Sequence, residues 1–176
     1  MEPVTKEGPL TGVRVVDLTT TFMGPYCTLL LAQMGADVIK VETPVGDVVR
    51  YIADDRGTGM GPVFLTTNQG KRSIVLDLKA PAGRAALLCL VGTADVFVHN
   101  IRPDAVQRLG IGYEAVATTN PRTVYCAVRG FGTDGPYRDK AAYDDVIQAG
   151  CGMAAVQGGP VSPPTSGPRS PTRPPG

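Results

Sequence analysis

The feature that most restricts this chain is an early strand–helix–strand pattern packed into about 30 residues. Val13 to Leu18 (VRVVDL) is compact and β-branched, which suits a strand buried on both faces. Pro25 is placed to start a helix. Cys27, Leu30, Leu31 and Met34 follow at i, i+3, i+4 and i+7 and predict the apolar face of that helix. Gly35 is its expected C-cap, and Val38 to Val41 reads as the next strand.

The alternation continues. Thr43 to about Pro62 is glycine-rich and reads as irregular, and Ser73 to Leu78 reads as a third strand. Pro81 opens a helix with Ala85, Leu88, Cys89 and Val91 on its expected apolar face. Asp95 to Val98 is a fourth strand, and Pro103 to Leu109 and Tyr113 to Thr118 are short helices. Thr123 to Val128 is a fifth strand, and a turn-rich stretch leads to a helix from about Tyr143 to Ala149. This order predicts an α/β fold: a Rossmann-like, mostly parallel sheet with helices on both faces. Residues 1–159 form the folded part, and 160–176, almost all Gly, Pro, Ser, Thr and Arg, predict a disordered tail.

Composition excludes several classes. A net charge of +1 gives no extended field for nucleic acid or an anionic membrane, so an anionic ligand needs a local cluster. No apolar run approaches the roughly 18 residues of a membrane span. The first residues carry no secretory signal pattern, and a cytoplasmic protein is expected. Cys27, Cys89, Cys126 and Cys151 are widely spaced, and with His99 as the single histidine they make no zinc pattern. They read as small buried hydrophobes, and no metal site is expected. Gly57-Thr58-Gly59-Met60-Gly61 does not lie between a strand and a helix, and Pro62 stands where a dinucleotide fingerprint needs its third glycine. It reads as a surface loop, and an NAD(P) domain is the weaker alternative. Lys40, Lys71, Arg72, Lys79, Arg102 and Arg108 lie near predicted strand ends, where open α/β sheets bind ligands. Lys79 and Arg102, after adjacent strands, would suit a phosphorylated ligand.

Four blocks in order carry a more specific signal. Pro9 to Glu42 (PLTGVRVVDLTTTFMGPYCTLLLAQMGADVIKVE), Asn68 to Gly83 (NQGKRSIVLDLKAPAG), Ala94 to Tyr113 (ADVFVHNIRPDAVQRLGIGY) and Gly130 to Gly152 (GFGTDGPYRDKAAYDDVIQAGCG) resemble the N-terminal part of family III CoA-transferases, the carnitine and formyl-CoA transferase group. The resemblance covers about residues 9–159. It implies transfer of CoA between carboxylic acids: an aspartate carboxylate meets acyl-CoA, giving a mixed anhydride and free CoA thiolate. It also implies acyl-CoA as substrate rather than a permanent cofactor, a large Rossmann-like domain left incomplete by this chain, and homodimers interlocked like rings.

By the same resemblance, the CoA-contacting positions are Phe22 and Met23; Thr43, at a position often basic in the family; Leu76, Asp77, Leu78 and Lys79; Asn100, Ile101 and Arg102; Arg108; and, near the thioester, Ala142, Tyr143 and Asp144. Tyr143 stands where the 2-methylacyl-CoA racemases of the superfamily place a histidine base, which favours the transferases over a racemase relative. The family nucleophile falls some 25 residues after the Tyr-Asp pair. Here that region is PTSGPRSPTRPPG, with no acidic residue after Asp145. The chain is therefore expected to leave the family pattern near Gly159 to Arg169, as a frameshifted or truncated product would. It would supply a CoA-binding half without the catalytic aspartate, inactive alone; a non-catalytic CoA-binding remnant is the alternative.

Overall fold

The computed structural model describes residues 7–158, so the expected tail and the nucleophile region lie outside the described residues. The chain divides into two compact units, meeting at Val128 and Arg129.

The first unit contains β1 (Arg14–Leu18), α1 (Met23–Gln33), β2 (Asp37–Glu42), α2 (Pro62–Thr67), β3 (Arg72–Val75), α3 (Pro81–Val91), β4 (Val96–His99), α4 (Pro103–Leu109), α5 (Tyr113–Thr119) and β5 (Val124–Ala127). The strands form one parallel sheet in the order β3-β2-β1-β4-β5. Val16 of β1 stands opposite Ile39 of β2 and Phe97 of β4. The strand order reverses between β1 and β4, which opens a crevice at their carboxyl ends.

Alternation along the strands feeds two cores. Val16, Leu18, Val41 and Phe97 pack with Leu87, Val91, Val106, Ile111 and Val116 from α3 to α5. Val15, Val38 and Val98 pack with Ala32 and Ala36 on the α1 side. Helices thus cover both faces, and β1, β2 and β4 are nearly continuous buried runs. Each fully buried side chain of this size contributes about 1.5–3 kcal/mol.

The structure corrects several local expectations. In α1 the buried side is Gly24, Pro25, Thr28, Leu29 and Ala32, while Cys27, Leu30 and Met34 are exposed. The helix is apolar nearly all round, so spacing alone could not choose the face. In α3, Leu87 and Val91 are buried, whereas Ala85 and Cys89 are exposed. All four cysteines are exposed and free, not buried. The third strand ends at Val75, so Leu76 to Leu78 belong to the turn after it. The stretch read as irregular holds a 3₁₀ turn, Val48–Arg50, and α2 begins at its end with Pro62 as first residue. Gly35, at φ +101°, does close α1: its N–H and that of Ala36 bond back to Ala32 and Leu31.

The second unit, over its described residues, contains α6 (Asp144–Gly150) and α7 (Met153–Gly158), which pack on each other. Phe131 and Tyr137 meet edge to face in the loop before α6.

Candidate functional site

Parallel strands aim their carboxyl ends at one edge of the sheet, and most residues singled out in the sequence gather there. Phe22 and Met23 follow β1 and are 51% and 71% exposed. Thr43 follows β2, Leu76 to Lys79 follow β3, and Asn100 to Arg102 follow β4. Phe22 stacks on Tyr26, one turn into α1, so an aromatic pair stands open to solvent beside the crevice.

The turn after β1 is held by buried charge. Asp17 is fully buried; its Oδ1 accepts from the Thr19 N–H (2.9 Å) and hydroxyl (2.5 Å). Its Oδ2 accepts from the Thr28 hydroxyl (2.5 Å) and Lys71 Nζ (3.1 Å). Lys71 also donates to the Pro25 carbonyl (2.8 Å) and Asn68 Oδ1 (2.9 Å), which saturates its ammonium. Burial lowers the Lys71 pKa, against the opposing pull of Asp17.

Lys40, near the middle of β2, is equally buried and donates to the Thr19 carbonyl (2.9 Å) and Asp47 Oδ2 (3.0 Å). Asp47 also accepts the Thr21 N–H and caps the 3₁₀ turn through the Val49 N–H. Glu42 completes the group: Arg50 grips it bidentately (2.6 Å twice), Ser73 donates at 2.6 Å, and the Asp47 N–H at 3.2 Å. Burial would raise the Glu42 pKa, but the Arg50 and Ser73 bonds outweigh it and hold the carboxyl at about 2. Lys40, Lys71 and Arg72 are therefore already paired within the protein. The first two close buried ion pairs, and Arg72 pairs with Asp37 on the surface.

On the other side of the crevice, Asn100 pairs with both backbone polar groups of one residue of the first turn. Its Oδ1 accepts the Thr20 N–H (3.0 Å) and its Nδ2 donates to the Thr20 carbonyl (2.9 Å). That amide is already occupied, so Asn100 shapes the crevice through the Thr20 backbone. His99, fully buried, takes the Ile101 N–H on Nδ1 (3.2 Å) and faces the Tyr125 hydroxyl with Nε2 (2.7 Å). The Nε2–H tautomer follows from the first of these contacts. Arg102 is exposed at the N-cap of α4, and Arg108 is exposed in its last turn, about 9 Å further along the helix. A cation in that last turn also complements the helix dipole.

After β3, Leu78 is buried in the core, and Leu76 packs against it while donating its N–H to the Glu42 carbonyl (2.8 Å). Asp77 folds the turn by accepting the Lys79 N–H (3.0 Å), and Arg84 clasps the Leu78 and Lys79 carbonyls. The Lys79 ammonium is left on the surface, and because β2 and β1 lie between β3 and β4, Lys79 and Arg102 do not follow adjacent strands as the sequence order suggested. Lys79, Arg102 and Arg108 enter no ion pair among the described residues. Thr43 is exposed, with its hydroxyl on the Gly46 carbonyl (3.3 Å).

Ala142, Tyr143 and Asp144 belong to the second unit. Tyr143 is 70% exposed and precedes α6, and Asp144 opens that helix and accepts from Gln148 Nε2 (2.6 Å). Sequence reasoning missed Asp17, Thr28 and Asp47 as parts of the site's foundation. The available signal was Lys40 inside DVIKVE, a charge in the middle of a buried strand that demands a partner.

A cleft of about 340 Å³ lies between α2 and β3, lined by Lys40, Arg50, Phe64, Lys71 and Arg72 among others. Each of those cations is already paired with a carboxylate, so the cleft offers no free charge for an anion. No group of three or more metal-ligating side chains occurs among the described residues.

Sheet order and crevice define a parallel α/β protein of the doubly wound kind, with its switch point between β1 and β4. The chain belongs to CoA-transferase family III, whose profile matches residues 10–171 and so runs past the last recognised block. It is 41% identical over 162 residues to succinate–glutarate CoA-transferase of Agrobacterium fabrum, covering 88% of this chain and 40% of that protein. It is 42% identical over 150 residues to formyl-CoA:oxalate CoA-transferase of Rhodopseudomonas palustris, covering 85% and 35%. A crystal structure of a CAIB/BAIF family protein from Brucella suis superposes with a TM-score of 0.83 at 36% identity, covering 92% of this chain and 44% of that one. The chain thus spans about two fifths of the length of these relatives.

Proposed function

We propose that this chain is the CoA-binding half of an enzyme that moves CoA between carboxylic acids through an aspartyl mixed anhydride. One observation carries the reading. Phe22, Met23, Thr43, Lys79, Asn100, Ile101 and Arg102 come from four separate loops and meet the same edge of the sheet. Lys79 and Arg102 bring unpaired cations for the phosphates of CoA, and Arg108 offers a third further along α4. The exposed Phe22–Tyr26 stack offers an apolar surface to the remainder of the ligand. Ala142, Tyr143 and Asp144 are assigned to the thioester end. Full-length relatives are taken to act as interlocked homodimers.

These 176 residues contain no acidic side chain after Asp145, so we assign them ligand binding without the nucleophile. The same observation supports the second reading, a CoA-binding remnant that does no chemistry. Calorimetric titration with CoA tests the common part. The chain should bind, and Lys79→Met with Arg102→Met should weaken binding by about tenfold or more, since charge-assisted bonds contribute about 1.5–3 kcal/mol each. No binding at millimolar CoA, or unchanged affinity in the double variant, would sink the assignment. Exchange of CoA between an acyl-CoA and a free carboxylate by the chain alone would refute the missing nucleophile.

A further inference from the structure

We infer that the buried Lys40–Asp47 pair is a positioning device for the turn after β1, and through it for the ligand. The inference rests on the CoA-binding reading above. The backbones of three consecutive residues of this turn are tied to different partners. Thr19 gives its N–H to Asp17 and its carbonyl to Lys40; Thr20 is paired on both sides by Asn100; Thr21 gives its N–H to Asp47. Thr21 sits at φ +75°, a left-handed conformation unfavourable for a β-branched residue, so the surroundings must impose it.

Asp47 is placed to do so. It is 1% exposed, its Oδ1 bonds Thr21 at 3.1 Å and Val49 at 3.3 Å, and its Oδ2 bonds Lys40 at 3.0 Å. It comes from the loop after β2, so one carboxylate locks that loop to the β1 turn. Lys40 works from below, holding the carbonyl two residues before the strained N–H. The residues next along the chain, Phe22 and Met23, are the exposed ones that meet the crevice. Asp47 and Lys40 are each 1% exposed, so the effect on binding assigned to them is indirect.

The test separates positioning from stability. Replacing a buried pair by apolar residues of similar volume is often neutral for the fold. Lys40→Met with Asp47→Leu should therefore melt close to wild type, yet bind CoA about tenfold more weakly. Asp47→Asn, which keeps an acceptor for Thr21, should bind within about threefold of wild type. A folded Lys40→Met/Asp47→Leu variant with wild-type CoA affinity would overturn the inference. Should that variant not fold, Asp47→Asn and Asp47→Ala decide: equal affinities overturn the inference, and a loss confined to Asp47→Ala supports it. Amide exchange gives a reading independent of CoA. The Thr21 N–H should exchange faster in Asp47→Ala and not in the surface variant Arg72→Met, and unchanged protection would sink the positioning role. If wild type binds no CoA, the binding reading fails, and the amide measurement still decides whether Asp47 holds the turn.

Discussion

Truncating Asp17 tests whether the charge beneath the turn is structural. Asp17→Ala removes a carboxylate that accepts four hydrogen bonds and leaves Lys71, whose side chain is 2% exposed, without its counter-charge. Breaking a buried pair on one side costs about 3–5 kcal/mol, a large part of a typical 5–15 kcal/mol stability. At roughly 2–4 °C per kcal/mol for a chain of this size, the melting point should drop by about 6–20 °C. Removing both partners should hurt less: Asp17→Ala with Lys71→Met leaves no stranded ammonium and should be more stable than Asp17→Ala alone. The sign with pH is also set. Burial lowers the Lys71 pKa from its ordinary 10.5, and losing Asp17 lowers it further. The destabilisation in Asp17→Ala is then full below the lowered pKa and is relieved as pH rises from there toward 10.5, because the buried group sheds its proton. Urea denaturation at pH 7, 8 and 9 measures this. A loss under about 1 kcal/mol at pH 7, or a double variant no more stable than the single, would refute the reasoning.

Other outcomes follow from the same geometry. Glu42, held at about 2 against an ordinary 4.5, contributes stability that is present above 4.5 and is lost as pH falls toward 2, on the order of 3 kcal/mol. Urea midpoints between pH 5 and 2.5 should fall steeply for wild type and less for Glu42→Gln, and parallel curves would count against the assignment. Gly83→Ala would gain up to about 1 kcal/mol of helix propensity in open space. Here an added Cβ would meet the Asp77 carbonyl oxygen at 2.0 Å, so the substitution should instead cost about 1–3 kcal/mol, read as a lower melting point. Because Lys79 and Arg102 are exposed, CoA affinity should fall between 0.05 and 0.5 M salt by roughly tenfold, and a salt-independent affinity would contradict a role for them.

The sheet was legible because β1, β2 and β4 are compact β-branched runs, and because the segments between strands are long enough for the helical crossovers that parallel pairing needs. The helix faces were not. MGPYCTLLLAQ is apolar almost all round, and the residue that marks its buried side, Thr28, is polar; it is buried because Asp17 accepts its hydroxyl. The cysteines follow the same error, since Cys27 and Cys89 were assigned to faces that turn out to be solvent-exposed. Of the site, the loops after the strands were legible through the family blocks, and the sheet order explains why such distant blocks share one edge. The supports were not, because Asp17, Lys40 and Asp47 find each other across separations that no local pattern encodes. Asp47 lies in a stretch that composition marks as a plain loop, and only the unpaired charge in DVIKVE hinted that it is anchored.

The occupied amides of the first turn have a consequence for redesign. Dinucleotide-binding folds with a glycine fingerprint leave their first loop bare, so that its N–H groups can face a pyrophosphate. Here the N–H groups of Thr19, Thr20 and Thr21 are all taken by side chains of the protein itself. Grafting glycines into this turn would therefore not convert the chain into a nicotinamide binder. The three internal acceptors would have to be removed first, and with them the floor of the present crevice.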